Sequence, residues 1–329
     1  NIGTLWNLWA YHKSFHSNIP FSSFDYINYP FGSSIEPNIK MYTSLIINII
    51  SGYIITNPFF AYNMIILLKL VLASFSMFLL LRKLKITLIL AWFGGCLYAF
   101  NPFMSSLTLA YGPNFISLFL PLLSLIIIIF IQKTNFTNFV LLVIVSFLFF
   151  GENYYYTYFT FVSTVITSFI YVLFRWKSLY RRLASTITKK KYYELLKMCF
   201  ITISFICVVI LMLIYLREYF ILLGNSYSIP DAMRMAARPV FYFIPPINNT
   251  FLGELFTDYY WSKMKPTMDT FEQSIYFGYS VLIISFVGCL RYRLFPMVTQ
   301  RYYLWFISMF FVSIFLALGP MFPNTWDGM

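Results

Sequence analysis

The chain has 329 residues, 60% of them hydrophobic and 22% aromatic, with 10% charged residues and a formal net charge of +12. A soluble domain carries roughly 25% charged residues, so this composition excludes one and describes an all-α integral membrane protein. The cations fall between apolar runs rather than along one polar face, which argues against nucleic-acid binding and is how membrane topology is written.

Taken in chain order, residues 1–59 hold no clear span and are expected to form an outer loop carrying interfacial helices. The chain opens on Asn1 without a charged leader and stops at Met329 inside GPMFPNTWDGM, so it reads as an internal piece of a longer protein. Within the first segment, SSFDYINYPFGSS sets Asp25 ahead of a Tyr-Pro-Phe-Gly turn that holds the backbone near the membrane surface. The run from Met41 to Thr56 is broken at Ser51-Gly52 and closed by Asn57-Pro58, which predicts an interfacial or re-entrant helix.

With ~20 apolar residues per crossing, and shorter runs tolerated, spans are expected near 60–81, 85–101, 113–132, 136–150, 156–174 and 196–216. These make up a transmembrane bundle over 60–216. A long outer loop follows at 217–274, then two further spans near 275–290 and 302–319. Residues 320–329 begin another outer segment. The expected architecture is therefore a polytopic helical bundle of about eight spans with two long outer loops. Both loops are rich in Trp, Tyr, Phe and Pro, which predicts order.

This arrangement gathers 15 of the 23 Lys and Arg on one side, in the loops holding Arg82, Lys83 and Lys85, then Lys133, then Arg175 through Lys197, then Arg291, Arg293 and Arg301. By the positive-inside rule that side is cytoplasmic. Of the acids only Glu194 falls there, so carboxylate chemistry belongs to the outer face. The four cysteines lie in apolar runs without paired spacing, which points to core thiols rather than disulfides or a zinc site.

Few residues combine reactive chemistry with a telling place. Asp25 is one of the two acids of the first outer loop, with Glu36, and an exposed turn carboxylate is the plain alternative reading of it. Glu152, in FFGENYYYTYF, sits at a short outer turn, where an acid is costly unless paired, protonated or used. Tyr154 and Tyr155 beside it suit an aromatic belt or a sugar platform. Lys69 interrupts NMIILLKLVLASF in mid-span, where a phosphate or a buried carboxylate is the expected partner. Asp231, Arg234 and Arg238 share one stretch of the long loop; the two Arg fall on one helical face, solvated or gripping a phosphate. His12 and His16 have i, i+4 spacing, as metal ligands can, but lack a neighbouring acid. No Walker loop, GxGxxG, HExxH or GxSxG is present.

The series TLWNLWAYHKSF, NIPFSSFDYINYPFGSS, FFAYN, GCLYAFNPFMSS, FGENYYYTYF, IPD with YFIPP, FEQSIYFGYSVLIISFVG and IFLALGP resembles bacterial and archaeal polytopic glycosyltransferases of the GT-C type. The resemblance covers almost the whole chain and rests on the series rather than on any one piece. It implies a membrane enzyme that takes a sugar from a polyprenyl-phosphate carrier and delivers it on the outer face of the cytoplasmic membrane. It further implies an outer-loop acid as general base, a role open to Asp25 or to an acid ahead of Asn1. Glu152 would orient the acceptor or a metal. Asp25 and Glu152 are the candidate ligands for Mg or Mn. Lys69, Arg234 and Arg238 would hold phosphate, with Asp231, Tyr154 and Tyr155 lining the substrate. The competing expectations are a lipid or glycan transporter and a non-catalytic protein of the same architecture.

Overall fold

A computed structural model describes residues 2–17, 42–112, 116–133, 135–153, 162–167, 242–245, 252–259, 278–294 and 297–317, with single residues at 160, 210 and 276. Every α-helical or 3-10 element among them is as expected for an all-α protein, and no strand occurs among the described residues. The helices are α1 (Ile2–Ser17), α2 (Tyr42–Ile54), α3 (Pro58–Lys83), α4 (Leu88–Ala99), α5 (Pro102–Tyr111), α6 (Phe119–Gln132), α7 (Phe136–Phe150), α8 (Gly253–Tyr259), α9 (Tyr279–Leu290) and α10 (Met297–Ala317), with a 3-10 turn at Tyr292–Leu294. Among the described residues two stretches are long and apolar enough to cross a membrane, Pro58–Lys83 and Leu88–Ser105.

Asparagine starts three of the helices. The Asn57 side chain accepts from the N–H groups of Phe59 and Phe60 at 2.9 and 3.2 Å, that of Asn101 from Met104 at 2.9 Å, and that of Asn135 from Asn138 at 2.8 Å. Each satisfies amide groups that the first turn leaves without an intrahelical acceptor. At α3 and α5 a proline follows directly, where its missing N–H costs nothing and its fixed φ suits a first turn. The expected span near 85–101 accordingly ends at Ala99, and a new helix begins beyond Asn101-Pro102.

α3 organises the bundle. Its buried positions are Ala61, Ile65, Lys69, Ala73, Ser76 and Leu80, one stripe at spacings of three and four. The opposite face leaves Phe60, Leu67, Leu68, Val71 and Phe75 exposed, an apolar surface of the kind lipid covers. Leu8 of α1 packs on Ala61 and Ile65, and Ala73 meets Ala99 and Ile116. At the far end Leu80 and Leu84 meet Leu125 and Ile128 of α6, with Tyr302 of α10 packed against them. α6 and α7 close on each other through Ile126, Phe130, Leu142 and Val145.

Small residues set the closest approaches. A Cβ added at Gly95 of α4 would lie 2.5 Å from the backbone oxygen of Ser74, so α3 and α4 touch backbone to backbone there. Tyr11 and Ala10 of α1 form a cluster with Leu45 and Ile49 of α2. The turn from α3 to α4 carries Arg82, Lys83 and Lys85. Lys85 is the described non-glycine residue with positive φ, at 68°.

Several boundaries differ from expectation. α2 runs unbroken through Ser51-Gly52 to Ile54, because Gly52 serves contact rather than interruption: a Cβ there would meet Leu8 O at 3.1 Å. The span expected from 113 begins at Phe119, after backbone at 116–118 that is turned to another purpose below. The span expected from 275 begins at Tyr279, behind Gly278 with φ of 86°. At the last expected span, 302–319, the helix is α10, Met297–Ala317, and α8 is a short helix inside the stretch read as a loop. The interval 136–150 agrees residue for residue. The expected spans at 156–174 and 196–216 lie mostly outside the described residues.

Candidate functional site

α7 ends at Phe150, and the two residues that turn the chain away from it, Gly151 and Glu152, become an anchor for three other elements. The Thr43 N–H of α2 donates to Gly151 O at 2.9 Å, and the Thr43 hydroxyl donates to Leu148 O at 2.9 Å. The start of one helix, with amides to spare, is thus docked on the end of another, with carbonyls to spare. Ser44 adds a hydroxyl donated to the backbone oxygen of Glu152 at 3.0 Å.

The Glu152 side chain is 1% exposed and points to the beginning of α6. Its Oε1 accepts from the Leu118 N–H at 2.8 Å, and its Oε2 accepts from the Phe119 N–H at 3.2 Å and the Ser117 hydroxyl at 3.4 Å. The Ser117 hydroxyl and the Leu118 and Phe119 amides, at and just before the start of α6, are committed to this carboxylate. A carboxylate at the amino end of a helix also meets the positive end of its dipole. Tyr98 of α4 steadies the same segment, donating its hydroxyl to Ser117 O at 2.9 Å.

Lys69, 2% exposed, completes the cluster from the buried stripe of α3. Its Nζ donates to the Ser44 hydroxyl at 3.2 Å, and its charge acts on the Glu152 carboxylate. The Ser44 oxygen therefore receives a hydrogen bond from Lys69 and passes one to Glu152 O. Burial pushes the Glu152 carboxyl up to about 7, and the Lys69 charge, the Leu118 and Phe119 amides and the Ser117 hydroxyl pull against that rise. Asn153 is buried next to it.

Of the residues singled out in the sequence, Lys69 and Glu152 are brought together, and so are His12 and His16, with ring centroids 4.3 Å apart. Asp25, Tyr154, Tyr155, Asp231, Arg234 and Arg238 lie outside the described residues. Ser44, Ser117 and Tyr98 were not anticipated. Ser44 had a signal, since Thr43, Ser44 and Asn48 put a polar, buried stripe on an otherwise apolar helix. Ser117 and Tyr98 had none, because their roles arise from where α4 and α6 meet.

The described part of this site does not fit a divalent ion. Both Glu152 oxygens take N–H or O–H donors, and no group of three His, Cys, Asp or Glu that could hold a metal occurs among the described residues. The arrangement is suited to holding four chain segments in register around one carboxylate. Comparison with protein families, with curated proteins and with solved structures finds no match to this chain.

Proposed function

We propose that the chain is part of a GT-C-type membrane glycosyltransferase, a bundle of about eight spans with two long outer loops, that moves a sugar from a polyprenyl-phosphate carrier to an acceptor hydroxyl on the outer face of a prokaryotic cytoplasmic membrane. The observation that carries the reading is the placing of Glu152. It sits at the end of α7 opposite the turn of Lys133, among α2, α3 and α6, while the cationic turn of Arg82, Lys83 and Lys85 lies at the far end of α3. A carboxylate cluster at one place in the bundle and a cationic turn at the far end of α3 suit an outer active site over a cytoplasmic rim.

In this mechanism the acceptor hydroxyl gives its proton to a carboxylate, Asp25 or an acid ahead of Asn1, as its oxygen attacks the anomeric carbon. The bond from that carbon to the carrier phosphate oxygen breaks, and the phosphate departs with the electron pair, its charge met by Arg234 and Arg238. A single displacement inverts the anomeric centre. Glu152 and Lys69 act as positioning residues: with its oxygens occupied and its opposite charge alongside, Glu152 fixes α2 and the start of α6 against each other.

A second reading, a polytopic lipid or glycan transporter, draws on Lys69, an ammonium buried in a membrane-length helix. One experiment separates the two. The full-length protein is placed in proteoliposomes with radiolabelled polyprenyl-phosphate sugars, and both label transfer and label translocation are followed. Transfer that is lost in Asp25→Asn and weakened in Arg238→Ala supports the transferase. Translocation without transfer, abolished by Lys69→Met, turns the assignment to the transporter.

A further inference from the structure

The chain has two histidines, and both stand in one contact. His12 and His16 lie one turn apart on α1, with ring centroids 4.3 Å apart and planes tilted by 44°. On each ring one nitrogen is spoken for. His12 Nδ1 is 2.8 Å from Gly52 O and His16 Nε2 is 3.2 Å from Tyr53 O, both carbonyls of the last turn of α2. A carbonyl oxygen only accepts, so these nitrogens carry the protons. The lone pairs are left on His12 Nε2 and His16 Nδ1.

This is the arrangement that prepares imidazoles for a metal. A ligating histidine characteristically donates its other N–H to a backbone carbonyl, which fixes tautomer and ring orientation. Here two rings are so fixed, at the i, i+4 spacing that places them on one face of a helix. With metal–nitrogen bonds of about 2.0–2.1 Å, each ring centroid stands roughly 3 Å from a shared ion, so a separation of 4.3 Å lies within reach of one ion. His16 is exposed, which gives an ion a path from water. Tyr53 stacks on the His16 ring at 5.8 Å and an interplanar angle of 12°, holding its plane.

The geometry points to a transition-metal site at the end of α1, beside the last turn of α2, with His12 Nε2 and His16 Nδ1 as ligands and water in the remaining positions. Two imidazoles favour Zn(II), Ni(II) or Cu(II) over Mg, Ca or Mn. Among the described residues no further His, Cys, Asp or Glu joins the pair to make a group of three. The site therefore belongs to the weaker, exchangeable class.

The test uses the full chain in detergent and substitutions that keep the hydrogen bonds while removing the ligands. Asn at position 12 retains an N–H near the place of Nδ1, and Gln at position 16 retains one near Nε2; neither offers an imidazole lone pair. Calorimetric titration with Zn(II) is expected to show one ion per wild-type chain and affinity reduced by more than roughly tenfold in His12→Asn/His16→Gln. Zn(II) raises the melting temperature of the wild type and leaves that of the double variant unchanged. With one equivalent of Cu(II), the wild-type electron paramagnetic resonance spectrum shows two imidazole nitrogens, which can come from no other residues. Equal Zn(II) affinity in the two proteins, or a wild-type Cu(II) spectrum without imidazole nitrogens, overturns the proposal. Should the double variant not fold, the wild-type spectrum decides alone.

Discussion

A buried ammonium on α3 and a buried carboxylate in the turn after α7 make Lys69 and Glu152 sensitive to the loss of either one. Removing one member leaves the other's charge in a place built for two, a change on the order of 3–5 kcal/mol in buried pairs. Lys69→Met and Glu152→Gln are each expected to lower stability on that scale. Their double substitution is expected to cost clearly less than the two losses combined, as a cycle of reversible unfolding measurements in mixed micelles would read. Additive losses would mean that the two side chains act separately. The carboxyl also ties stability to pH. Its value is raised in the folded chain, from 4.5 to about 7, so the folded state binds the extra proton between those values. Its contribution is therefore full below pH 4.5 and is lost as pH rises through about 7. The melting temperature is expected to fall across that interval, and to fall less in Glu152→Gln. At this scale the sequence was half legible. A lone Lys in NMIILLKLVLASF announces a partner, and its register with Ala61, Ile65 and Ala73 shows that it faces protein. Which acid answers it depends on how α7 ends against α2, and that is a matter of tertiary contact.

Helices here meet through small residues, and the two adjacent glycines of α4 respond differently to the same addition. At Gly95 a Cβ would press on the Ser74 backbone oxygen at 2.5 Å, which cannot move without parting α3 from α4. At Gly94 it would meet the Leu81 Cδ1, the end of a rotatable side chain. Gly95→Ala is expected to destabilise by about 1–3 kcal/mol, as overpacking does. Gly94→Ala should be close to neutral, since a helix gains from Ala what it lost to Gly. Thermal unfolding of the two variants side by side measures the difference. Helix identity at this scale was read well from apolar runs, and α7 matches to the residue. Ends were read less well, because a run of apolar residues does not record where a polar claim begins. The N–H groups of Leu118 and Phe119 serve Glu152, and Asn101-Pro102 starts a helix of its own. Gly52 looked like a breaker in isolation, and its meaning came only with Leu8 and Tyr11 beside it.

For the molecule as a whole, the apolar outer faces and the placement of charge make one statement about orientation. On the proposed topology, a cysteine at position 83 in a background without the four native cysteines resists an impermeant maleimide in intact cells and reacts after permeabilisation. A cysteine at exposed position 17 reacts in both. The reverse pattern would invert the topology and move Glu152 to the cytoplasmic side. Leu97 of α4 lies near the middle of the Leu88–Ser105 stretch and is 38% exposed, and Leu97→Arg sets a charge where lipid is expected. It should impair insertion by roughly 2.5–3.5 kcal/mol at mid-helix depth, less nearer the interface, as glycosylation-site mapping of translocated fragments would read.

The turn between α3 and α4 places two demands on one residue. Lys85 holds a left-handed backbone, φ 68°, that glycine would adopt freely and that costs a residue with a Cβ about 1–2 kcal/mol. Lysine there is the poorer choice for a finished fold and, on the proposed topology, the better one for a chain still emerging, where its charge would help to hold the hairpin on one side while the helices enter the bilayer. Lys85→Gly should consequently produce a protein that melts at a higher temperature yet reaches the membrane with a larger misoriented fraction. Biogenesis and equilibrium would then have left opposing marks on a single side chain.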